Sequence, residues 1–547
     1  MKKNSFISGT IISTISIVLV KIMGMLYVIP FYSIVGSQGG ALYSYAYQLY
    51  LLFLGVSSAG IPNAISKVIS EYNSTGKLEA KTRAYYVGKK IISYISIVAF
   101  ILLFVFAEEL ATLYLGKITG GNTPEDAAFV IRCVSFAVLI IPHLSVTKGY
   151  LQGHQVFAPS STANLIEQAV RIFVILAGSY LSYKVFNSSL YLAVGIAVSG
   201  AFFGGLFAYL YLRKKIKKYQ KELDLDKNLE KDNISNKEIT KKIISYAVPF
   251  VIINIIVDIY SITDSILILN TLTGLGYVAE DVEFIASCIS TWGSKICMVV
   301  NAIAMGMTTS LIPSIVEAYS TKKVANLNKR INEALQMVVY ISLPLTIGIS
   351  ILSTPIWTIF YNTNAYGGSI LKITIFGAML GNVAMIISCT LQGMNKYKQV
   401  YLMNLIGSLT NAILDVPLMI LFNKLNLPAY YGASVSSIIG YTTSTLIGLK
   451  YINKDKNISY KETIKVIFKS LIPALSMLVV LLIINKFIPL DVYKKFDAII
   501  LIIINAIVGG FIYIYLSFKL NIPYQIFGKE YLNKIIKKLT FGKLKID

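Results

Sequence analysis

Charged residues, histidine and cysteine are scarce in this 547-residue chain. Charged side chains make up 14% of the sequence and hydrophobic ones 55%, whereas soluble domains contain about 25% charged residues. The four cysteines form no CxxC motif and have no histidine beside them, so neither a disulfide framework nor a zinc site is indicated. No Walker A motif occurs, which argues against direct coupling to ATP. This composition excludes an ordinary soluble domain and is typical of a polytopic membrane protein.

Long hydrophobic runs take the place of the missing charge. A helix needs about 20 mostly apolar residues to cross a hydrocarbon core about 30 Å thick. Runs of this length recur along the chain, separated by polar turns or by turns rich in glycine and proline. We therefore predict an all-α membrane protein with fourteen transmembrane helices, near residues 6–35, 42–66, 91–115, 127–150, 159–183, 190–212, 243–270, 284–314, 331–360, 369–392, 400–422, 431–452, 466–488 and 498–518.

The positions of lysine and arginine predict the orientation in the membrane. A net charge of +23 would suggest nucleic-acid binding in a soluble protein. If the N-terminus is cytoplasmic, 39 of the 50 lysines and arginines fall between spans on the cytoplasmic side, six fall outside and five lie within spans. Cytoplasmic loops carry such an excess of positive charge. We therefore expect a multi-pass cell-membrane protein with both termini in the cytoplasm, anionic lipids as partners of the cations, and no nucleic-acid partner.

The two halves of the chain repeat each other at a constant offset of 240 residues. VIRCVSFAVLIIPHLSVTKGYLQG (130–153) aligns with ILKITIFGAMLGNVAMIISCTLQG (370–393). An even number of helices in each repeat makes the repeats parallel, as in two-lobed transporters whose substrate lies between the lobes. We predict two parallel six-helix lobes around a central cavity plus two C-terminal helices: an N-terminal lobe (1–212), a basic cytoplasmic linker (213–242), a C-terminal lobe (243–452), and spans 13–14 with a basic tail (453–547).

Two lysines lie near the middle of predicted spans, Lys21 in the first and Lys295 in the eighth. A charge at the bilayer centre costs at least about 2.5–3.5 kcal/mol, so such a residue is a candidate functional residue by default. One lysine in each lobe, facing a water-filled cavity, would hold a multiply charged anion such as a pyrophosphate. The alternative is that each lysine pairs with a carboxylate on a neighbouring helix and only fixes the packing.

Four further polar residues form a candidate ion site. Asp258 and Asp264 lie in the seventh predicted span, and Asn411 and Asp415 lie in the eleventh. The spacing of Asn411 and Asp415 is i, i+4, which puts both side chains on one helical face. Carboxylate and amide oxygens are the ligands that hard cations prefer, so these residues could bind Na⁺ or exchange a proton. Alternatively, they are counter-ions for the two intramembrane lysines.

Glu167 and Arg171 in the fifth predicted span are also four residues apart, with the acid before the base. This order favours an intrahelical ion pair. We interpret them first as a neutralised structural pair, with a role in lining the substrate cavity as the alternative.

Three segments carry a family resemblance: SGTIISTISIVLVKIMGMLYVIPFYSIVG in the first span, SSAGIPNAISKVISEYNSTGK after the second, and GYLQGHQVFAPSSTANLIEQAVRI entering the fifth. With the span order and the repeat, they make the chain resemble the MOP flippase superfamily. Within it, the chain resembles polysaccharide biosynthesis proteins of the SpoVB/YtgP type and, more distantly, MurJ-type lipid II flippases. The resemblance implies movement of undecaprenyl-pyrophosphate-linked sugars from the inner to the outer leaflet by alternating access.

The resemblance also assigns roles to residues. It implies substrate binding by Lys21, in the motif Lys21-Ile-Met-Gly24, and by Lys295. It implies a sodium site between the seventh and eleventh spans, which Asn411-x-x-x-Asp415 fits. Of the two aspartates in the seventh span, we favour the one nearer the midplane, Asp258. The sequence has Tyr27 where the family usually has a second arginine, which leaves the identity of the headgroup open.

The predicted function is therefore a flippase for lipid II or a related polysaccharide precursor, not an enzyme. It would be driven by the membrane potential or by a Na⁺ or H⁺ gradient, would need no cofactor, and is expected to be a monomer.

One alternative is a multidrug cation antiporter of the same superfamily, against which a lysine in each lobe argues. A less favoured alternative is a membrane glycosyltransferase or polymerase, against which the absence of a DxD motif from the outer loops argues. The sequence leaves open whether the cargo serves the vegetative wall, teichoic acid, capsule or spore cortex.

Overall fold

The computed structural model describes residues 16, 19–58, 60–115, 121–154, 156–218, 232–320, 324–456 and 458–528. These residues form helices and contain no strand. The chain divides into two compact units, Met1–Trp292 and Gly293–Asp547. The all-α fold class is confirmed.

The first unit is built from ten helices in its described part. They are α1 (Leu19–Leu26), α2 (Val28–Ser58), α3 (Ile61–Ser74), α4 (Leu78–Val105), α5 (Ala107–Leu115), α6 (Pro124–Gly153), α7 (Phe157–Phe173), α8 (Leu190–Lys218), α9 (Asn236–Gly274) and α10 (Ala279–Ser287). Three π-helical turns extend α7 and α10, at Val174–Gly178, Leu181–Val185 and Cys288–Trp292.

The second unit contains nine helices in its described part. They are α11 (Gly293–Ser320), α12 (Val324–Ile351), α13 (Ser353–Tyr361), α14 (Gly367–Gly393), α15 (Tyr397–Lys424), α16 (Tyr430–Lys456), α17 (Lys461–Phe487), α18 (Lys495–Lys519) and α19 (Ile522–Phe527).

Eleven of the described helices are long and apolar enough to cross a membrane, or twelve if the bent pair Leu19–Leu26 and Val28–Gly55 counts as one span. The protein is thus a multi-pass membrane protein. The number fourteen stays a prediction. Helix α16, which matches the predicted twelfth span, is not among the eleven because it is rich in serine and threonine. Its 27 residues are nevertheless long enough to span a bilayer, at 1.5 Å rise per residue.

Helix α2 reverses direction at Gly36, whose φ of 69° and ψ of −166° lie outside the helical region. The rings of Phe31 and Tyr43 are 5.2 Å apart, whereas a continuous helix would separate residues at this spacing by about 18 Å. The two halves of α2 therefore pack against each other. A positive φ favours glycine at this position, and the reversal falls between the predicted first and second spans.

The internal repeat coincides with the helix ends. Helix α6 ends at Gly153 and α14 at Gly393, and α7 begins at Phe157 and α15 at Tyr397, which is the same offset of 240 in both cases. In the first unit α8 packs on α6 and α7, and in the second α16 packs on α14 and α15. Each unit thus contains the same three-helix arrangement at matching positions in the repeat.

Several helices extend beyond the predicted spans. The segment 67–90, expected to lie between spans, is largely helical, because α3 reaches Ser74 and α4 starts at Leu78. Lys148, counted among the cytoplasmic cations at the end of the predicted fourth span, lies on α6, which continues to Gly153. Lysine, arginine and glutamate are good helix formers, so charged residues continue these helices past their apolar segments.

Helix α9, predicted to open the second lobe, packs against α2, α3 and α4 in the first unit. At its start, Lys242 Nζ lies 2.5 Å from Glu71 Oε1 of α3, and Asp232 accepts a 2.8 Å hydrogen bond from the backbone N–H of Ala80. Burial raises the pKa of the Tyr72 hydroxyl, an effect that Lys242 opposes. The division into lobes at 213–242 concerns the sequence repeat and stays a prediction.

Helices α7 and α8 approach closely through two glycines of α8, Gly200 and Gly204. A Cβ at Gly200 would lie 2.9 Å from the carbonyl oxygen of Arg171, and one at Gly204 would lie 2.4 Å from that of Glu167. Small residues four apart allow such backbone contact between membrane helices. The pair therefore fixes the part of α7 that carries Glu167 and Arg171.

We predict that Gly204→Ala lowers stability by about 1–3 kcal/mol, because the new methyl group overpacks the helix contact. The measurement is thermal unfolding of the purified protein in detergent. Gly510→Ala in α18 is the matched control, because nothing lies within 4 Å of a Cβ at that helical glycine. Equal unfolding temperatures for the two variants would contradict the packing argument.

Candidate functional site

Lys21 and Lys295 are both partly buried, on α1 and α11. They lie in different units, so their joint action on one headgroup stays a prediction. Residues on either side of Lys21 contact α7: Ser16, before α1, donates a 2.9 Å hydrogen bond from Oγ to the Ser161 carbonyl, and a Cβ at Gly24 of α1 would lie 3.3 Å from Gln168 Nε2. These contacts pair residues 145 and 144 positions apart. Lys21 is therefore level with residues 165–166 of α7.

The carboxylate of Glu167 forms ion pairs with two cationic side chains. Its Oε1 lies 3.0 Å from Arg171 Nη2 and its Oε2 lies 3.0 Å from Lys148 Nζ of α6. All three side chains are largely buried, with 16–18% of each exposed. The predicted Glu167–Arg171 pair is thus part of a triad with a formal charge of +1. The sequence shows the i, i+4 pair but gives no signal for Lys148, which reaches Glu167 only because α6 and α7 form a hairpin.

Tyrosines from the α1–α2 region interact electrostatically with Arg171. The hydroxyls of Tyr27, Tyr43, Tyr47 and Tyr50 are within electrostatic range of its guanidinium group. The Tyr27 and Tyr43 hydroxyls are 3.4 Å apart, and the rings of Tyr43 and Tyr47 stack with centroids 5.6 Å apart. Tyr47 alone of the four is partly exposed. A guanidinium group beside phenol rings suits a ligand that carries both phosphate and sugar.

The two aspartates of α9 lie against different parts of the first unit. A Cβ at Gly55 of α2 would lie 2.6 Å from Asp258 Oδ2, so this glycine leaves room for the carboxylate. Asp264 is 7% exposed and lies near Tyr114. Its neighbour Ser265 donates a 3.1 Å hydrogen bond to Gln48 of α2.

Asn411 and Asp415 are buried in the second unit, with 1% and 0% of their surfaces exposed. Both face α16. Ser436 Oγ donates a 2.5 Å hydrogen bond to Asp415 Oδ1, and a Cβ at Gly440 would lie 3.0 Å from the Cβ of Asn411. The sequence offered no signal for Ser436, because no motif links α15 to the serines of α16.

The predicted ion site would take ligands from both units and stays a prediction. In the part of the chain that the structure describes, no group of three or more His, Cys, Asp or Glu residues is arranged to hold a metal ion. A site built from these residues would therefore depend on amide and hydroxyl oxygens as well as carboxylates, which suits Na⁺ better than a transition metal.

A buried carboxylate joins α10 to the loop before α6. Glu283 is 1% exposed and accepts hydrogen bonds from the Asn122 backbone N–H at 2.7 Å and from Asn122 Nδ2 at 2.5 Å. Asn122 Nδ2 also donates to the Gln38 carbonyl at 3.1 Å, and Gln38 Nε2 donates to Glu280 at 3.2 Å. These acids, which look scattered in the sequence, fasten α10 to α2.

A cavity of about 440 Å³ lies between α12, α17 and α18 in the second unit. Its wall is mostly apolar and includes Pro344, Leu345, Met477, Leu481 and Ile502. The C-terminal pair of long helices thus helps to form a mostly apolar cavity.

The arrangement of helices is the fold of solved membrane-transporter structures. A solved structure of the lipid II flippase MurJ in an inward closed conformation superposes with a TM-score of 0.68, at 18% identity over 93% of this chain and 99% of the other. An inward-facing multidrug resistance MATE transporter of the MOP superfamily superposes with a TM-score of 0.60, at 16% identity over 82% of this chain and 100% of the other. These structures share the fold of the chain.

The chain belongs to the polysaccharide biosynthesis protein family, which residues 6–318 match. Residues 288–416 also match the MatE family. The chain is 31% identical over 538 residues to the lipid II flippase MurJ of Bacillus subtilis (strain 168), covering 96% of this chain and 97% of that protein. It is 26% identical over 175 residues to stage V sporulation protein B of the same organism, covering 32% of each. The resemblance found in the sequence is confirmed.

We predict that Asn122→Ala lowers the free energy of unfolding by about 1–3 kcal/mol, because the buried carboxylate of Glu283 loses its side-chain donor and keeps only the backbone N–H of residue 122. Chemical or thermal unfolding of the purified protein measures this loss. Glu280→Gln is the control, because the Gln38–Glu280 hydrogen bond is exposed. If Asn122→Ala is no less stable than this control, Asn122 does not support the buried carboxylate.

Proposed function

We propose that this protein moves an undecaprenyl-pyrophosphate-linked precursor, lipid II or a related polysaccharide intermediate, from the inner to the outer leaflet. The observation that carries the proposal is the 31% identity to the Bacillus subtilis lipid II flippase over 96% of this chain and 97% of that protein. Such coverage includes both repeats and the last two long helices.

The intramembrane cations support an anionic headgroup. Lys21 is level with the part of α7 that carries the Lys148–Glu167–Arg171 triad, and the triad itself is positive. We infer that Lys21, Glu167 and Arg171 contribute to headgroup binding, together with Lys295 from the second unit. Arginine donates two hydrogen bonds to phosphate in a fixed geometry, and lysine acts as a point charge.

The apolar cavity between α12, α17 and α18 supports a lipid substrate. Its lining is mostly apolar, with Asn505 and two tyrosines as the polar exceptions, so it suits an isoprenoid tail better than a soluble sugar. We infer that the tail lies there while the headgroup crosses. A multidrug cation antiporter, favoured by the MatE match of residues 288–416, is the second candidate. Partly buried lysines on α1 and α11 count against it, because they would repel a cationic drug.

The remaining inferences concern orientation and energy. We infer that both termini are cytoplasmic, that the protein acts as a monomer in the cell membrane, and that it binds no nucleic acid. The inside-negative membrane potential favours outward movement of an anion, by about 2.3 kcal/mol per charge at 100 mV. A Na⁺ or H⁺ gradient could add to this through Asp258 or Asp264 with Asn411 and Asp415.

We predict that Lys21→Ala and Lys295→Ala each abolish precursor transport, because the headgroup loses a charge partner in the membrane. The measurement uses a bacterial host depleted of its own flippase and counts labelled precursor accessible at the outer leaflet. Lys329→Ala is the matched control, since this lysine is 73% exposed on α12. Full transport by both intramembrane variants would exclude a headgroup role for the two lysines.

We predict that Asp415→Asn removes the sodium dependence of transport, because a neutral amide binds Na⁺ more weakly than a carboxylate. Transport in vesicles is compared with and without a sodium gradient. Asp497→Asn, in the first turn of α18, is the control. A sodium response that persists in Asp415→Asn would rule out this ion site, and a wild-type protein that never responds to sodium would favour proton coupling.

A further inference from the structure

The two oxygens of the Glu167 carboxylate serve two different cations. Oε1 lies 3.0 Å from Arg171 Nη2 on the same helix, and Oε2 lies 3.0 Å from Lys148 Nζ on α6. One carboxylate is thus shared between cations on two helices. If either cation turns away, the other still neutralises Glu167.

This sharing changes the cost of releasing Arg171. Removing one partner of a simple buried ion pair is strongly destabilising, because the other charge is left buried and uncompensated. In this triad Lys148 remains beside Glu167 when the guanidinium leaves. Arg171 can therefore exchange its carboxylate partner for another anion without stranding a charge.

Arg171 is the member of the triad that is suited to bind the incoming anion. Its Nε is buried and has no hydrogen-bond partner within the described ranges. Tyr47 of α2, which is partly exposed, interacts electrostatically with the guanidinium group, so its hydroxyl is a candidate further donor to the phosphate. Arg171 is the middle residue of the 29-residue span Phe157–Val185, so it lies near the centre of a helix that is long enough to cross a hydrocarbon core about 30 Å thick.

Lys148 is suited to neutralise Glu167 while Arg171 is away. It lies five residues before the end of α6 at Gly153, about 8 Å from the end where α6 and α7 join. Its single ammonium group is a point charge that follows one carboxylate oxygen without the planar geometry that phosphate recognition uses. It contacts Oε2 of Glu167, whereas Arg171 contacts Oε1.

We propose that Glu167 exchanges ion-pair partners during transport: Arg171 leaves it to bind the phosphate of the substrate, while Lys148 holds the carboxylate neutralised. The inference rests on the proposed function, since it names the group in the first unit that binds the pyrophosphate of the lipid. The same chemistry would bind free pyrophosphate, so the experiment includes both ligands.

The test measures binding of undecaprenyl pyrophosphate and of inorganic pyrophosphate to the full-length protein in nanodiscs. We expect Arg171→Gln to weaken binding of the lipid about ten- to hundredfold, the effect of losing a hydrogen bond to a charged group. We expect Lys148→Met to weaken it similarly, because Glu167 then retains Arg171. The double variant Lys148→Met/Glu167→Gln should recover affinity, since the neutral side chain no longer competes for Arg171.

Recovery of affinity in the double variant would show that Glu167 and the phosphate compete for Arg171. If Lys148 and Glu167 had only a structural role, the double variant would bind more weakly than Lys148→Met alone. The matched controls are Lys329→Met and Arg330→Gln, because Glu333 is paired to these two exposed cations in a triad of the same composition. Affinity unchanged in Arg171→Gln, or no recovery in the double variant, would overturn the inference. Stronger binding of inorganic pyrophosphate than of the lipid would also overturn it.

The transport assay distinguishes this failure from failure of the proposed function. If the wild-type protein transports precursor while the triad variants bind it normally, only the exchange of ion-pair partners is wrong. If the wild-type protein neither binds nor transports the precursor, the proposed function itself is wrong.

Discussion

The cost of a charge inside the hydrocarbon region is the constraint on which this structure depends. In the described helices the carboxylates within the spans have specific surroundings. Glu167 has two cations, Asp258 lies against Gly55, and Asp415 accepts a hydrogen bond from Ser436. In each case a small or short polar residue, or a cation on a neighbouring helix, accommodates the charge. Polar compensation therefore decides which helix faces meet.

Close contact between the backbones of α7 and α8 fixes the positions of Glu167 and Arg171. Gly200 and Gly204 let α8 lie directly on α7 beside Arg171 and Glu167, because membrane helices with small residues at the contact approach closely. The reversal at Gly36 then folds the second half of α2 back on the first, which brings Tyr43 to Phe31. The tyrosines around Arg171 thus depend on a backbone conformation that glycine adopts readily.

Hydropathy and the repeat predicted the class of fold and much of the helix order, and the offset of 240 reappears in the ends of α6 and α14. The site was predicted less completely. Lys148 looks like an interfacial lysine in the sequence, because its partner Glu167 comes from a helix hairpin rather than from spacing along one helix. Asn122 and Glu283 meet across 161 residues without any local motif. Hydropathy measures the cost of placing a segment in lipid. It therefore underestimates the tendency of α16 to span the membrane, because the buried serines of this helix pack against protein and not against lipid.

The shared carboxylate also bears on release of the substrate. A transport site must bind its ligand strongly enough to capture it and weakly enough to let it go. A cluster of cations alone would hold a pyrophosphate in the membrane, where water cannot compete for it. Glu167 supplies a competitor for the phosphate, since its carboxylate lies 3.0 Å from both cations in the structure. When the phosphate leaves, Arg171 returns to a partner on its own helix, so release leaves no buried charge uncompensated.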